Sequence, residues 1–129
     1  MREGKLKFQF RAEHDVVIVL VDWHIETEDD LDPWYAAYAS YFRKHFKRKV
    51  DVIFDLTKFQ LNPRIAHRFG EVRAKLLREY TNRSYRVHAD SVVKTAMYTS
   101  RVLHGAPTNE HASIEAAIQQ LLRDRARTS

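Results

Sequence analysis

Between Thr57 and Arg68 the chain carries the side chains best suited to recognition: Thr57, Asn62, Arg64, His67 and Arg68 supply a hydroxyl, an amide and three basic groups. They follow the apolar run VDVIFD and precede a helical pattern. In open α/β folds, strand ends and the helix starts that follow them commonly bind ligands, because the first amides of a helix have no intrahelical acceptor. A basic cluster there suits a small anion or the acidic side chains of a protein partner. The plainer reading is a solvated basic helix face, with Thr57 bonded to local backbone at the strand end.

Other clusters have ordinary explanations. Glu26, Glu28, Asp29, Asp30 and Asp32 could offer oxygens to a hard cation, but no glycine allows a ligand loop to turn and the spacing fits no calcium loop. Acidic residues at the positive end of a helix dipole explain them better. RKHFKRK, Arg43 to Lys49, could dock on phosphates or an acidic protein, yet cations at a helix C-terminus are favourable in themselves. His104 and His111 are separated by Gly105 and Pro107, with no third ligand at a recognisable spacing, and there is no HExxH. G-x-S-x-G, a glycine-rich dinucleotide loop and a GKS/T loop are all absent, and Ser91 and Ser113 read as helix caps. No catalytic residue, metal or cofactor is expected.

Trp34, Tyr35, Tyr38, Tyr41 and Phe42 form a wider aromatic stripe than a small sheet requires. Aromatics at helical spacing mostly pack in the core. Those left over could wall a pocket for a small apolar or anionic ligand, or form a homodimer surface, where Trp and Tyr are enriched.

The elements that must position these groups can be read from periodicity. Lys5 to Ala12 alternates, with Leu6, Phe8 and Phe10 on one face, and Val16 to Trp23 is a β-branched run suited to burial on both faces. The short link between them favours an antiparallel hairpin. Asp32-Pro33 and Asn62-Pro63 each read as a cap followed by a first helical turn, opening helices to about Lys47 and about Tyr80. Between them Val50 to Leu56 is a central strand, and Ser84 to His88 a shorter, more polar one. A third helix is expected from about Ser91 to Leu103, stopped by Gly105, and a last one after Ser113. Ala106 to Ala112 admits a brief edge strand. The order β-β-α-β-α-β-α-(β)-α implies a four- to five-stranded, mostly parallel mixed sheet covered by about four helices.

At 129 residues, with 3 Gly and 3 Pro, the chain fits one domain, residues 1–129, without linker or repeat. It has no cysteine, which suits a reducing compartment. VVIVLV is too short to span a bilayer, and the N-terminus lacks the apolar stretch of a secretion signal, so no membrane insertion and a cytoplasmic location are expected. The net charge of +5 favours anionic partners, but nucleic acid would require the cations on one face and is not expected.

This element order, VDVIFDLTKFQ running into a helix, and the ending VVKTAMYTSRVLHG…SIEAAIQQLL resemble the STAS fold, in particular its SpoIIAA-like branch. The likeness covers nearly the whole chain. In anti-sigma-factor antagonists of this family a segment of the type D-L-S-x-V-x-F-I-D-S-S-G carries a serine that a partner kinase phosphorylates. Asp55, Leu56 and Thr57 match its beginning, and the match continues through Phe59 and Leu61, but Pro63, Arg64 and Ile65 stand where Asp-Ser-Ser would be. The resemblance therefore implies a non-catalytic regulatory module that binds a protein partner and lacks the usual phosphorylation switch.

Overall fold

The computed structural model describes residues 4–88 and 110–128. Strands β1 (Lys5–Arg11), β2 (Val16–Asp22), β4 (Val50–Asp55), β6 (Thr81–Val87) and β7 (Glu110–His111) form a five-stranded sheet in the order β1-β2-β4-β6-β7. The first pair is an antiparallel hairpin, with Lys5 opposite Asp22 and Arg11 opposite Val16; the other pairs are parallel. This is the mixed, mostly parallel sheet that the apolar runs imply, and the brief strand falls inside Ala106 to Ala112.

Strand periodicity divides the core. Val17, Val19, Val21, Val52 and Phe54 face helices α1 (Leu31–His45) and α2 (Ala66–Tyr80), while Val16, Ile18, Ile53, Tyr85 and Val87 face the last helix, α3 (Ile114–Thr128). Runs such as VVIVLV are apolar throughout because both faces are covered. The helix expected from Ser91 to Leu103 lies outside the described residues.

Three local features differ from expectation. Asp32-Pro33 does not cap α1: a 3-10 turn, Glu28–Asp30, precedes it, and Thr27 with Asp30 forms a capping box. Asp30 Oδ2 accepts from the Glu26 and Thr27 amides at 2.8 and 3.0 Å, so Pro33 falls inside a first turn, where its missing N–H costs nothing. α1 ends at His45, leaving Phe46 to Lys49 outside it. β6 begins at Thr81, directly after α2, and excludes His88, whose φ of 65° ends the strand. Its polar start is stabilised pairwise: Asp51 accepts from the Arg83 amide (2.9 Å) and Asn82 Nδ2 (3.0 Å), and Thr81 meets the Tyr38 hydroxyl.

A second, two-stranded parallel sheet pairs β3 (His24–Ile25) with β5 (Gln60–Leu61). The Gln60 and Asn62 amides donate to the carbonyls of Trp23 (3.0 Å) and Ile25 (2.9 Å). This ribbon ties the segment leaving β4 to the segment leaving β2.

Candidate functional site

The segment after β4 lies at the C-terminal edge of the parallel strands and is anchored along its length. Asp55 Oδ1 accepts from the Thr57 amide (3.1 Å) and from its hydroxyl (2.6 Å), so this exposed threonine is bonded locally. Phe59 and Leu61 are buried, and the Phe59 ring meets Phe69 of α2 at 5.3 Å.

Asn62 is held from three directions. Its amide donates to Ile25, its Nδ2 donates to the Glu26 carbonyl (2.8 Å), and its Oδ1 accepts from the Arg64 amide (3.1 Å). The cap serves a 3-10 turn, Pro63–Ile65, and α2 follows from Ala66. Proline at the first position and asparagine before it explain why the turn forms here.

Arg64, His67 and Arg68 emerge exposed from this anchored base. Glu71, one helical turn on, pairs with both His67 Nε2 (3.1 Å) and Arg68 Nη1 (2.7 Å). Arg64 makes no ion pair with a described residue. The face is therefore basic, with part of its charge offset by Glu71.

The aromatics of α1 divide between core and flank. Trp34, Tyr38 and Phe42 are buried. Tyr41 stacks on Phe8 with centroids 3.9 Å apart, and Tyr35 donates to Glu79 at 2.8 Å with Lys75 over its ring at 4.9 Å. Burial, followed by the Glu79 contact, pushes the Tyr35 phenol up to about 12.

Of these five aromatics only Trp34 lines a pocket between the helices and the sheet, together with Phe54, Leu56, Phe59 and Phe69. Its volume of ≈ 20 Å³ suits a single water-sized occupant. Arg73 and Arg86 also line it, at 4% and 0% exposure, and burial lowers the Arg73 guanidinium to about 10. Sequence reading passed over both; the available signal was that Arg73 falls on the inward stripe of α2, between Phe69 and Leu76. An open groove of ≈ 580 Å³ on the outer side of α1 and α2 brings Arg68 and Tyr35 to one surface, with Glu71, Lys75 and Arg78 along it. Among the described residues no three His, Asp or Glu side chains converge as metal ligands, and no helix is long and apolar enough to cross a membrane.

No family model and no curated protein matches the sequence. Among solved structures, the anti-sigma factor antagonist SpoIIAA in its unphosphorylated form is similar, with a TM-score of 0.51 at 10% identity over 97% of this chain and 98% of that one. At this identity the likeness establishes the fold: an α/β chain of STAS, SpoIIAA-like architecture.

Proposed function

We propose that this chain is a non-catalytic, cytoplasmic regulatory module that binds a protein partner through the surface from Thr57 to Arg68. The observation that carries the reading is the three-way anchoring of Asn62, which presents Arg64, His67 and Arg68 from a preorganised base. Ordering a loop on binding costs affinity, and a segment already fixed avoids that cost. The similar structure is that of an anti-sigma factor antagonist, a protein that acts through another protein, which supports the same class of role here.

Control by phosphorylation at the helix start is not part of the proposal. Pro63, Arg64 and Ile65 offer no hydroxyl there, and the Thr57 hydroxyl donates to Asp55. Among the described residues the pocket beside Trp34, at ≈ 20 Å³, is too small for an apolar ligand, which would need several times that space.

Charge reversal at both exposed arginines, R64E/R68E, tests the surface. The immobilised wild-type chain is expected to retain a partner from a lysate of its own source, and the folded double variant to lose it. Equal capture by the two proteins would remove this surface from the mechanism.

A further inference from the structure

We propose that the opposite end of the sheet, where the C-terminus of α1 meets the β1–β2 turn, is a docking face for an anionic phospholipid surface. Helix chemistry accounts for Arg43 and Lys44 but not for Lys47, Arg48 and Lys49, because α1 stops at His45 and the dipole effect fades within the last turn. These cations need another explanation.

Arg48 brings them to the turn. Its Nη2 lies 2.6 Å from Asp15 Oδ1, and beside this contact the ring of Phe46 meets that of Phe10 at 5.5 Å and 69°. Phe10 is 43% exposed and, with Leu122, is one of two large exposed hydrophobics among the described residues. Lys44, Lys47 and Lys49 are exposed and make no ion pair with a described residue. The β1–β2 turn supplies two acids, Glu13 and Asp15, against the five cations of Arg43 to Lys49, and the next acid after the run, Asp51, is buried and paired with Arg125.

An exposed apolar ring beside surplus cations fits a lipid headgroup layer. The cations meet phosphate and carboxylate groups, and the ring reaches the acyl boundary. Single-stranded nucleic acid would need a free aromatic face on which a base can stack. Here Tyr41 lies against Phe8 (3.9 Å) and His45 (4.5 Å), and Phe46 against Phe42 (5.9 Å) and the Arg48 guanidinium (6.0 Å), which leaves Phe10 as a single exposed ring where successive bases would need several. Lys49 precedes β4 and Thr57 follows it, so a chain docked by this end keeps its partner surface free.

Sedimentation with phosphatidylcholine vesicles, with and without phosphatidylserine, tests the proposal on the full chain. Binding is expected only with phosphatidylserine, and it should fall as salt rises. The K44A/K47A/K49A variant alters exposed side chains only and should bind about a hundredfold more weakly. Phe10→Ser should weaken binding about tenfold. Circular dichroism on each variant separates loss of binding from loss of fold. The proposal is overturned if the wild type ignores phosphatidylserine, or if the folded triple-lysine variant binds as well as the wild type. Retention of a single-stranded oligonucleotide without vesicle binding would overturn it in favour of nucleic acid.

Discussion

Arg125, in the last turn of α3, grips Asp51 of the central strand through both Nε (3.1 Å) and Nη2 (2.9 Å). The same guanidinium donates to the carbonyls of His14 (2.5 Å) and Asp15 (2.8 Å). One side chain thus joins the last helix, the middle of the sheet and the β1–β2 turn, where Asp15 holds a left-handed φ of 49°. The carboxylate it grips is 7% exposed.

Removing this grip should be costly, because it leaves a buried carboxylate with fewer donors. Asp51 would retain Asn82 and the Arg83 amide, so Arg125→Ala is expected to lower stability by about 2–3 kcal/mol, below the loss for a buried ion stripped of all partners. Urea unfolding should show a lower midpoint with an unchanged slope. A midpoint equal to that of the wild type would mean that the contact contributes nothing.

A second buried pair predicts behaviour at high pH. Tyr38 Oη and Thr81 Oγ1 are 2.5 Å apart in the core, and Thr81→Val should cost about 1–3 kcal/mol by orphaning the phenol, while Y38F/T81V should cost less than the two single changes summed. Burial raises the phenols of Tyr38 and Tyr85 well above the ordinary 10.0. A raised folded value means stability that is complete below pH 10 and is lost as pH climbs toward the folded value. Arg73, lowered to about 10 from 12.5 by burial, acts in the opposite sense over the same range, but two phenols outweigh one guanidinium. Tyrosine absorbance should therefore show two groups that ionise only as the chain unfolds.

The sheet was legible because VVIVLV is an uninterrupted apolar run and VDVIFD is apolar but for Asp51 and the closing Asp55, as suits strands covered on both faces. Asn62-Pro63 likewise announced its turn through local chemistry. What escaped reading depends on partners distant in sequence. Thr81 to Arg83 look like a polar link until Tyr38 and Asp51 are placed beside them. Neither two-residue strand of the small ribbon has a pattern of its own, since the pairing joins groups distant in sequence, with Trp23 and Ile25 accepting from Gln60 and Asn62. Of the recognition surface, the basic residues were visible. The groove joining Arg68 to Tyr35 was not, because it arises from the packing of α1 on α2.

At low pH two carboxylates set the limit. Backbone bonds from Thr27 and Glu26 hold Asp30 below the usual 3.8, and the Tyr85 hydroxyl, followed by Gln120, does the same for Asp124. A depressed folded value contributes stability above the unfolded value that disappears as pH falls through the folded one. The chain should therefore lose stability below about pH 4. Asp30→Asn should flatten that loss and lower stability near pH 7 by about 1 kcal/mol through the weakened capping box. Thermal unfolding at a series of pH values would show it; parallel curves for the two proteins would contradict the assignment.

Gly4 has no room for a side chain, since a Cβ there would fall 1.8 Å from Cδ2 of the Trp23 indole. The ring lies flat against the backbone just ahead of β1, at the point where the chain leaves β2 for the ribbon that anchors the recognition segment. Gly4→Ala must therefore displace either the indole or the start of β1, with a cost of about 1–3 kcal/mol, as for other overpacked sites. The chain has two tryptophans, and Trp34 is buried in the core, so a change in emission confined to the half-exposed Trp23 is readable in a Trp34→Phe background. The expected result is a red shift of that emission together with a lower melting temperature. An unshifted spectrum with unchanged melting would show that the glycine is not needed for the indole to seat.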